Sequence, residues 1–216
     1  MTAPRASQHL AVPPSPSAPR GKFPHLVVPA GTVVYRTHAA KLNPWWFGSS
    51  LDNRFDLPDP SGTCYLAESE IVGLLEAWAG VRMISHTTVA TRAISTLDIG
   101  RDLVLADVTA NAAIKFGVTA EISTTIDYPL TQAWAQALHA AGFDGIRYWA
   151  RHDLTHTHAC IAVFDSAGDQ TNSHTLTSEY VVQSSDRLLD RGDLLAEMEQ
   201  SAGITVLMPP SSLGPV

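Results

Sequence analysis

The chain has 216 residues and a mass of 23.2 kDa, which suits one domain with extensions or at most two small domains. Hydrophobic residues make up 45% of the chain and charged residues 16%, so it is not disordered as a whole. The formal net charge of −7 argues against sequence-independent binding to nucleic acid or to an anionic membrane.

Both ends of the chain differ in composition from its middle. Residues 1–24 are rich in proline, alanine and serine, which predicts a disordered tail. We expect one ordered domain over residues 25–208 and a loose end over residues 209–216. No signal-peptide pattern and no apolar run of about 18 residues occurs, so we expect a cytoplasmic protein. Two cysteines, Cys64 and Cys160, exclude a disulfide scaffold.

Short runs of β-branched and aromatic residues predict strands. The predicted strands cover residues 32–36, 63–67, 103–108, 146–148, 159–164 and 204–208. The polar stretch 166–184 is predicted to be a loop.

Apolar residues at helical spacing predict helices between these strands. The first helix begins at Ser69, a typical N-cap residue, and ends before Gly80. The second covers residues 129–141, and a third helical segment over residues 188–198 is interrupted near Gly192. Because strands and helices mix without regular alternation, we expect an α+β fold with a compact mixed sheet core and flanking helices.

Four residues that can carry chemistry lie on these elements. Arg36 ends the first strand, Arg54 lies in a loop, Tyr65 lies in the second strand, and Glu76 lies in the first helix. Glu76 falls off the apolar stripe of its helix, and its neighbour Gly73 leaves room for a group to approach the carboxylate. The alternative is that Glu76 is a solvated residue on the flank of the helix.

The two arginines also allow two interpretations. Each guanidinium can form an ion pair with a nearby carboxylate such as Asp52 or Asp56. Alternatively, the two guanidiniums bind phosphate oxygens in bidentate fashion. The pattern alone leaves both interpretations open.

Several segments of the chain, in this order, resemble the RES domain family, which is named for its Arg, Glu and Ser. The resemblance covers roughly residues 30–206. The matching segments are Tyr-Arg-Thr-His at 35–38, Asn-Pro-Trp-Trp-Phe-Gly at 43–48, Asn-Arg-Phe-Asp at 53–56, Gly-Thr-Cys-Tyr-Leu-Ala at 62–67, Asp-Gly-Ile-Arg-Tyr at 144–148, Arg-His-Asp at 151–153 and Ile-Ala-Val-Phe-Asp at 161–165. Glu76 follows the fourth segment at the family's spacing.

This resemblance implies a function. RES proteins are typically toxins of bacterial toxin–antitoxin pairs whose partner is an Xre-type antitoxin. They consume NAD⁺ as a glycohydrolase or phosphorylase that breaks the nicotinamide–ribose bond, and some relatives transfer ADP-ribose to a protein. Their fold is similar to that of ADP-ribosyltransferase toxins. We therefore expect NAD⁺ as substrate, an antitoxin partner and no metal.

The resemblance also implies roles for the four residues. The carboxylate of Glu76 would stabilise the oxocarbenium-like ribose or orient the acceptor. The ring of Tyr65 would stack on nicotinamide, and Arg36 with Arg54 would hold the pyrophosphate.

The sequence departs from the family at the position of its serine. Ala150 occupies that place in the NAD⁺-binding block, and alanine has no hydroxyl to donate. Thr155 or Thr157 could supply the hydroxyl instead. The alternative is a degenerate member that binds NAD⁺ or a protein partner without efficient turnover.

A histidine-rich stretch follows Ala150 in the sequence. His152, Asp153, His156 and His158 are residue types that bind zinc, which suggests a metal-dependent hydrolase as a third hypothesis. The alternative is a polar surface loop, because the interspersed threonines favour an extended chain over a helix.

Overall fold

A computed structural model describes residues 8–14, 20–78, 80–171 and 179–208 of the chain. The strands are β1 (His25–Val28), β2 (Val33–Ala39), β3 (Trp46–Phe47), β4 (Ser61–Ala67), β5 (Met83–Ser85), β6 (Arg92–Ile99), β7 (Leu103–Asp107), β8 (Gly145–Trp149), β9 (Ala159–Ser166), β10 (Gly168–Asp169), β11 (Tyr180–Arg187) and β12 (Thr205–Leu207). The helices are α1 (Glu70–Ala77), α2 (His86–Ala90), α3 (Glu121–Thr124), α4 (Tyr128–Ala140) and α5 (Gly192–Ala202).

Eight of these strands form one mixed sheet in the order β1-β7-β8-β9-β4-β2-β6-β11. The pair β7 and β8 is parallel, and the other neighbours are antiparallel. Two small two-stranded sheets, β3 with β10 and β5 with β12, lie outside it. The expected α+β fold, a mixed sheet with flanking helices, is confirmed.

The sheet opens between two of its central strands. Strands β2 and β4 pair only where Tyr35 lies opposite Ala67, whereas β2 pairs with β6 over seven residues from Val33 to Ala39. Strand β4 instead continues its full pairing with β9 on its other side. A gap therefore separates the end of β2 from the start of β4, and the candidate site lies there.

Apolar side chains pack into clusters on both faces of the sheet and under α1 and α5. Trp134 of α4 is fully buried in the first cluster, and Trp45 is fully buried in the second. The third cluster joins Leu74 of α1 to Met198 of α5. No helix in the described ranges is long and apolar enough to cross a bilayer.

The described part of the N-terminal segment packs against the domain, which differs from the expected tail over residues 1–24. Leu10 and Phe23 belong to the first cluster, with 7% and 5% of their surface exposed. The indole Nε1 of Trp134 donates to the carbonyl oxygen of Ala11 at 2.8 Å. Residues 1–7, 15–19 and 209–216 lie outside the described residues.

Most of the strands and helices predicted from the sequence are present in the structure. The strands near residues 32–36, 63–67, 103–108, 146–148, 159–164 and 204–208 are present, and so are the three predicted helical segments. The predicted loop over residues 166–184 is wrong near both ends, because β10 covers Gly168–Asp169 and β11 begins at Tyr180, and residues 172–178 lie outside the described ranges. Pairing with β6 makes the largely exposed polar segment of β11 a strand.

Candidate active site

A cavity of about 380 Å³ lies where β2 and β4 diverge. Arg36, Arg54, Tyr65 and Glu76 all line it, although they come from two strands, a loop and a helix. Ala150 does not belong to the lining, since it is 1% exposed and packs in the first apolar cluster. The structure therefore gathers four of the five predicted site residues, and their catalytic roles stay predictions.

Helix α1 carries Glu76 to this cavity. The side chain of Ser69 accepts a hydrogen bond from the amide of Val72 and caps the helix, as predicted. A Cβ atom at Gly73 would lie 3.3 Å from the Cβ of Ala67, so the glycine lets α1 lie close against β4. Gly73 also lines the cavity beside Glu76. The glycine thus serves helix–sheet packing as well as the predicted space near the carboxylate.

The carboxylate of Glu76 is largely withdrawn from water. Its Oε1 accepts a hydrogen bond from the hydroxyl of Tyr148 at 3.3 Å, and its Oε2 is buried without a hydrogen-bond partner among the described residues. Burial raises the pKa of Glu76, and the positive charge of Arg54 opposes that shift. The alternative of a solvated flank residue is therefore wrong.

Arg54 is a buried cation, with 7% of its surface exposed. Its Nη1 donates to the carbonyl oxygen of Thr125 at 2.6 Å, and its guanidinium lies 5.4 Å from the ring centroid of Tyr128. Burial lowers the pKa of Arg54, while the charge of Glu76 helps to raise it. The expected alternative, an ion pair with Asp52 or Asp56, does not occur.

The cavity carries more positive than negative charge. Arg92 and Arg151 line it together with Arg36 and Arg54, and Glu76 is the one acid among the described lining residues. This leaves an excess of three positive charges in a chain whose net charge is −7. No ion pair between described residues involves any of the four arginines. Arg36 instead donates to the carbonyl oxygen of Pro44.

The hydroxyl of Tyr65 is held inside the protein. It donates to Oδ1 of Asp56 at 2.9 Å and accepts from the amide of Phe55 at 2.9 Å. Burial and the nearby Asp56 carboxylate raise the pKa of Tyr65 well above its usual value, so the phenol stays neutral. Because the hydroxyl is engaged, the ring of Tyr65 is the part that can contact a ligand.

Sequence reasoning missed several residues that line the same cavity. Tyr148 and Arg151 belong to the matching segments at 144–148 and 151–153, but their place beside Glu76 follows from the pairing of β8 with β9. Arg92 begins β6 and His38 is the residue before the last in β2, and no local pattern indicates that these strands pair. The basic residue types alone could have marked Arg92 and Arg151 as further anion-binding candidates.

The histidine-rich stretch does not form a cluster. His152 lines the cavity, whereas His156 stacks on the ring of Trp149 with centroids 5.1 Å apart. Asp153 accepts hydrogen bonds from the amide and hydroxyl of Thr155, and that hydroxyl lies within 3.0 Å of Thr157. Among the described residues, no group of three or more His, Cys, Asp or Glu side chains could hold a metal ion.

Comparison with known proteins agrees with the fold and with the order of the motifs. The RES domain model matches residues 33–183, so the chain belongs to the RES domain family. A chain of the crystal structure of the M. tuberculosis MbcT–MbcA toxin–antitoxin complex has a similar fold, with a TM-score of 0.56. The two chains are 18% identical over 74% of this chain and 85% of the other. No curated protein matches the chain by sequence.

Proposed function

We propose that this protein degrades NAD⁺ by cleaving the bond between nicotinamide and ribose. The observation that carries the proposal is the charge of the cavity, in which four arginines that form no ion pair with a described residue share the lining with the carboxylate of Glu76. A pyrophosphate supplies the anions that such guanidiniums bind, and a carboxylate in the cavity lining suits a developing positive charge. Membership of the RES family supports the same substrate.

The chemistry follows from these groups. The bond between the nicotinamide nitrogen and C1′ of the ribose breaks, and its electron pair neutralises the positive charge on the nicotinamide ring. The ribose passes through an oxocarbenium-like state, which the carboxylate of Glu76 stabilises. An oxygen of the acceptor then bonds to C1′ and releases its proton to solvent. With water the product is ADP-ribose, and with phosphate it is a phosphorylated ADP-ribose.

The remaining residues bind and orient the dinucleotide. Tyr65 presents its ring to the cavity because Asp56 and Phe55 hold its hydroxyl, so the ring stacks against the nicotinamide. Arg36 and Arg54 bind the pyrophosphate oxygens. Both guanidiniums donate to a backbone carbonyl oxygen, which fixes their direction before the ligand arrives.

The direct test measures nicotinamide released from NAD⁺ by the purified protein, with and without inorganic phosphate. We expect release that depends on Glu76, and identification of the second product distinguishes water, phosphate and protein as the acceptor. Glu76→Gln serves as the inactive control, since it keeps the size of the side chain and an oxygen that accepts from Tyr148. Absence of release under every acceptor condition would overturn the proposal.

Ala150 favours a second candidate function, a degenerate RES protein that binds NAD⁺ without efficient turnover. Its methyl group offers no hydroxyl, and it lies outside the cavity lining. Under this alternative, NAD⁺ would raise the melting temperature of the wild type while no nicotinamide appears. Simultaneous assays of thermal shift and product release separate the two functions.

We also propose that the partner of this protein is an antitoxin of the Xre type. The proposal rests on the family and on the similar fold of a chain from a toxin–antitoxin complex. Expression of the chain alone should arrest bacterial growth, and co-expression of the adjacent reading frame should restore it. Growth arrest that Glu76→Gln does not abolish would argue against a toxin acting through this cavity.

A further inference from the structure

We propose that Tyr148 is a positioning residue, whose hydroxyl holds Glu76 in the ionised form and orientation that the reaction needs. This inference rests on the proposed function, because the role of Glu76 belongs to it. In this proposal Tyr148 supplies the hydroxyl for which the sequence suggested Thr155 or Thr157. The hydroxyl of Thr155 donates to Asp153 and lies 3.0 Å from the hydroxyl of Thr157, and neither threonine lines the cavity.

The position of Tyr148 is fixed by its surroundings. It lies in β8 between two neighbouring strands, where its backbone pairs with Cys160 of β9, and 1% of its surface is exposed. Its ring meets the ring of Phe55 edge-on, with centroids 4.9 Å apart. A buried ring held in this way places its hydroxyl in one direction, and that direction leads to Oε1 of Glu76 at 3.3 Å.

Tyr148 donates this hydrogen bond at every pH at which the enzyme would work. Burial and the nearby charge of Glu76 raise the pKa of Tyr148 well above its usual value, so the hydroxyl keeps its proton. Burial raises the pKa of Glu76, and the charge of Arg54, the backbone of Arg151 and the hydrogen bond from Tyr148 oppose that shift, in this order, by stabilising the charged form. Tyr148 therefore favours the anion that faces a developing oxocarbenium ion.

Other charged and titratable side chains line the same cavity as Glu76. They are Tyr35, Arg36 and His38 from β2, Arg54 from the loop before β4, Tyr65 from β4, Arg92 from β6, Tyr128 from α4, Arg151 and His152 after β8, and Cys160 from β9. Among the described residues, Tyr148 is the one side chain that donates a hydrogen bond to the Glu76 carboxylate. Its contact is with Oε1, while Oε2 is buried and has no hydrogen-bond partner among the described residues.

The test compares Tyr148→Phe with a matched control, Tyr180→Phe. Tyr180 is also a buried tyrosine, and its hydroxyl also donates to a carboxylate, that of Asp165, but it does not line the cavity. We expect Tyr148→Phe to lower kcat for nicotinamide release by about tenfold to a hundredfold, with KM little changed. The acidic limb of its kcat profile should move to higher pH. Tyr180→Phe should leave both quantities unchanged.

A second variant tests the sign of the effect without removing the hydroxyl. Tyr148→3-fluorotyrosine keeps the ring and makes the hydroxyl a stronger donor, so the acidic limb should move to lower pH. If Tyr148→Phe keeps the kcat and the pH profile of the wild type, the inference is overturned while the proposed function stays in place. If the wild type releases no nicotinamide, the proposed function fails, and NMR titration of the Glu76 carboxyl still decides the inference. A Glu76 pKa unchanged in Tyr148→Phe would overturn it.

Discussion

Arginines inside and outside the cavity differ in their partners. The three partly buried arginines outside it, Arg101, Arg147 and Arg191, all form ion pairs with carboxylates. Arg191 binds both oxygens of Glu70, at 2.7 and 2.9 Å. Within the described residues, Arg54 is more deeply buried than these three and has no carboxylate partner.

Under the proposed function, this difference arises because a ligand supplies the missing charge inside the cavity. A buried cation without an anion costs free energy that a paired cation does not, so an unpaired set is kept only where something binds it. The outer ion pairs join elements, since Arg191 links α5 to α1 and Arg147 links β8 to Glu68 after β4. Under the proposed function, the same residue type therefore joins elements of the fold outside the cavity and binds the ligand within it.

The largest expected effect follows removal of the cavity's single acid. Glu76→Gln should lower nicotinamide release by about a hundredfold or more, because it deletes the charge that stabilises the oxocarbenium-like state. The same change should raise the melting temperature, because it removes a buried charge with an unpartnered oxygen. Kinetics and calorimetry on one preparation measure both effects.

The pH dependence of that stability gain has a definite sign. Burial raises the pKa of Glu76 above its usual value of 4.5, so the folded protein favours the protonated carboxyl. The stability of the wild type relative to Glu76→Gln therefore falls as the pH rises from about 4.5 through the raised value. The gain in melting temperature should be larger at neutral pH than in acid.

Glu70→Gln is the matched control on the same helix. Glu70 begins α1 and pairs with Arg191 outside the cavity, so its loss should lower the melting temperature and leave nicotinamide release unchanged. If Glu76→Gln and Glu70→Gln change the melting temperature in the same direction, the distinction between unpaired charges inside the cavity and ion pairs outside it is wrong.

A smaller effect is expected from Arg54→Lys. Lysine keeps a positive charge but cannot offer the paired donors of a guanidinium, so KM for NAD⁺ should rise by about tenfold to a hundredfold, with a smaller change in kcat. Arg191→Lys is the control, because it makes the same change in an arginine that binds a carboxylate of the protein. If the two variants raise KM equally, the unpaired state of Arg54 does not mark a ligand site.

The sequence predicted those parts of the site that depend on local pattern. Tyr65 and Glu76 were placed on a strand and on a capped helix because residue types and spacing define such elements within a few turns of chain. Their convergence, together with Arg36 and Arg54, was expected only from the resemblance to a family. The opening between β2 and β4 that creates the cavity depends on which strands pair, and these strands are distant in the sequence.

The features that the sequence did not predict all depend on contacts between distant segments. Arg92 reaches the cavity because β6 pairs with β2, and β11 is a strand because it pairs with β6. Leu10 is buried although its segment is rich in proline, because it packs with the cluster under Trp134. Propensity and periodicity describe a residue's neighbours along the chain and carry no information on such partners.

The smallest effect is expected from Ala150→Ser, which restores the residue type of the family. Ala150 is buried in an apolar cluster and does not line the cavity, while Tyr148 already donates to Glu76. We expect nicotinamide release to change by less than about threefold, and stability to fall by about 1 kcal/mol if the new hydroxyl finds no partner.

Ala162→Ser, in the same cluster on β9, is the control for the cost of a buried hydroxyl. Equal destabilisation in both variants, with wild-type kinetics, would mean that position 150 acts through packing alone. A large gain in rate for Ala150→Ser, absent in Ala162→Ser, would instead show that the wild-type site lacks a hydroxyl it needs. That result would favour the degenerate binder over the efficient NAD⁺-degrading enzyme, because turnover would then be limited by the missing donor rather than by the charges of the cavity.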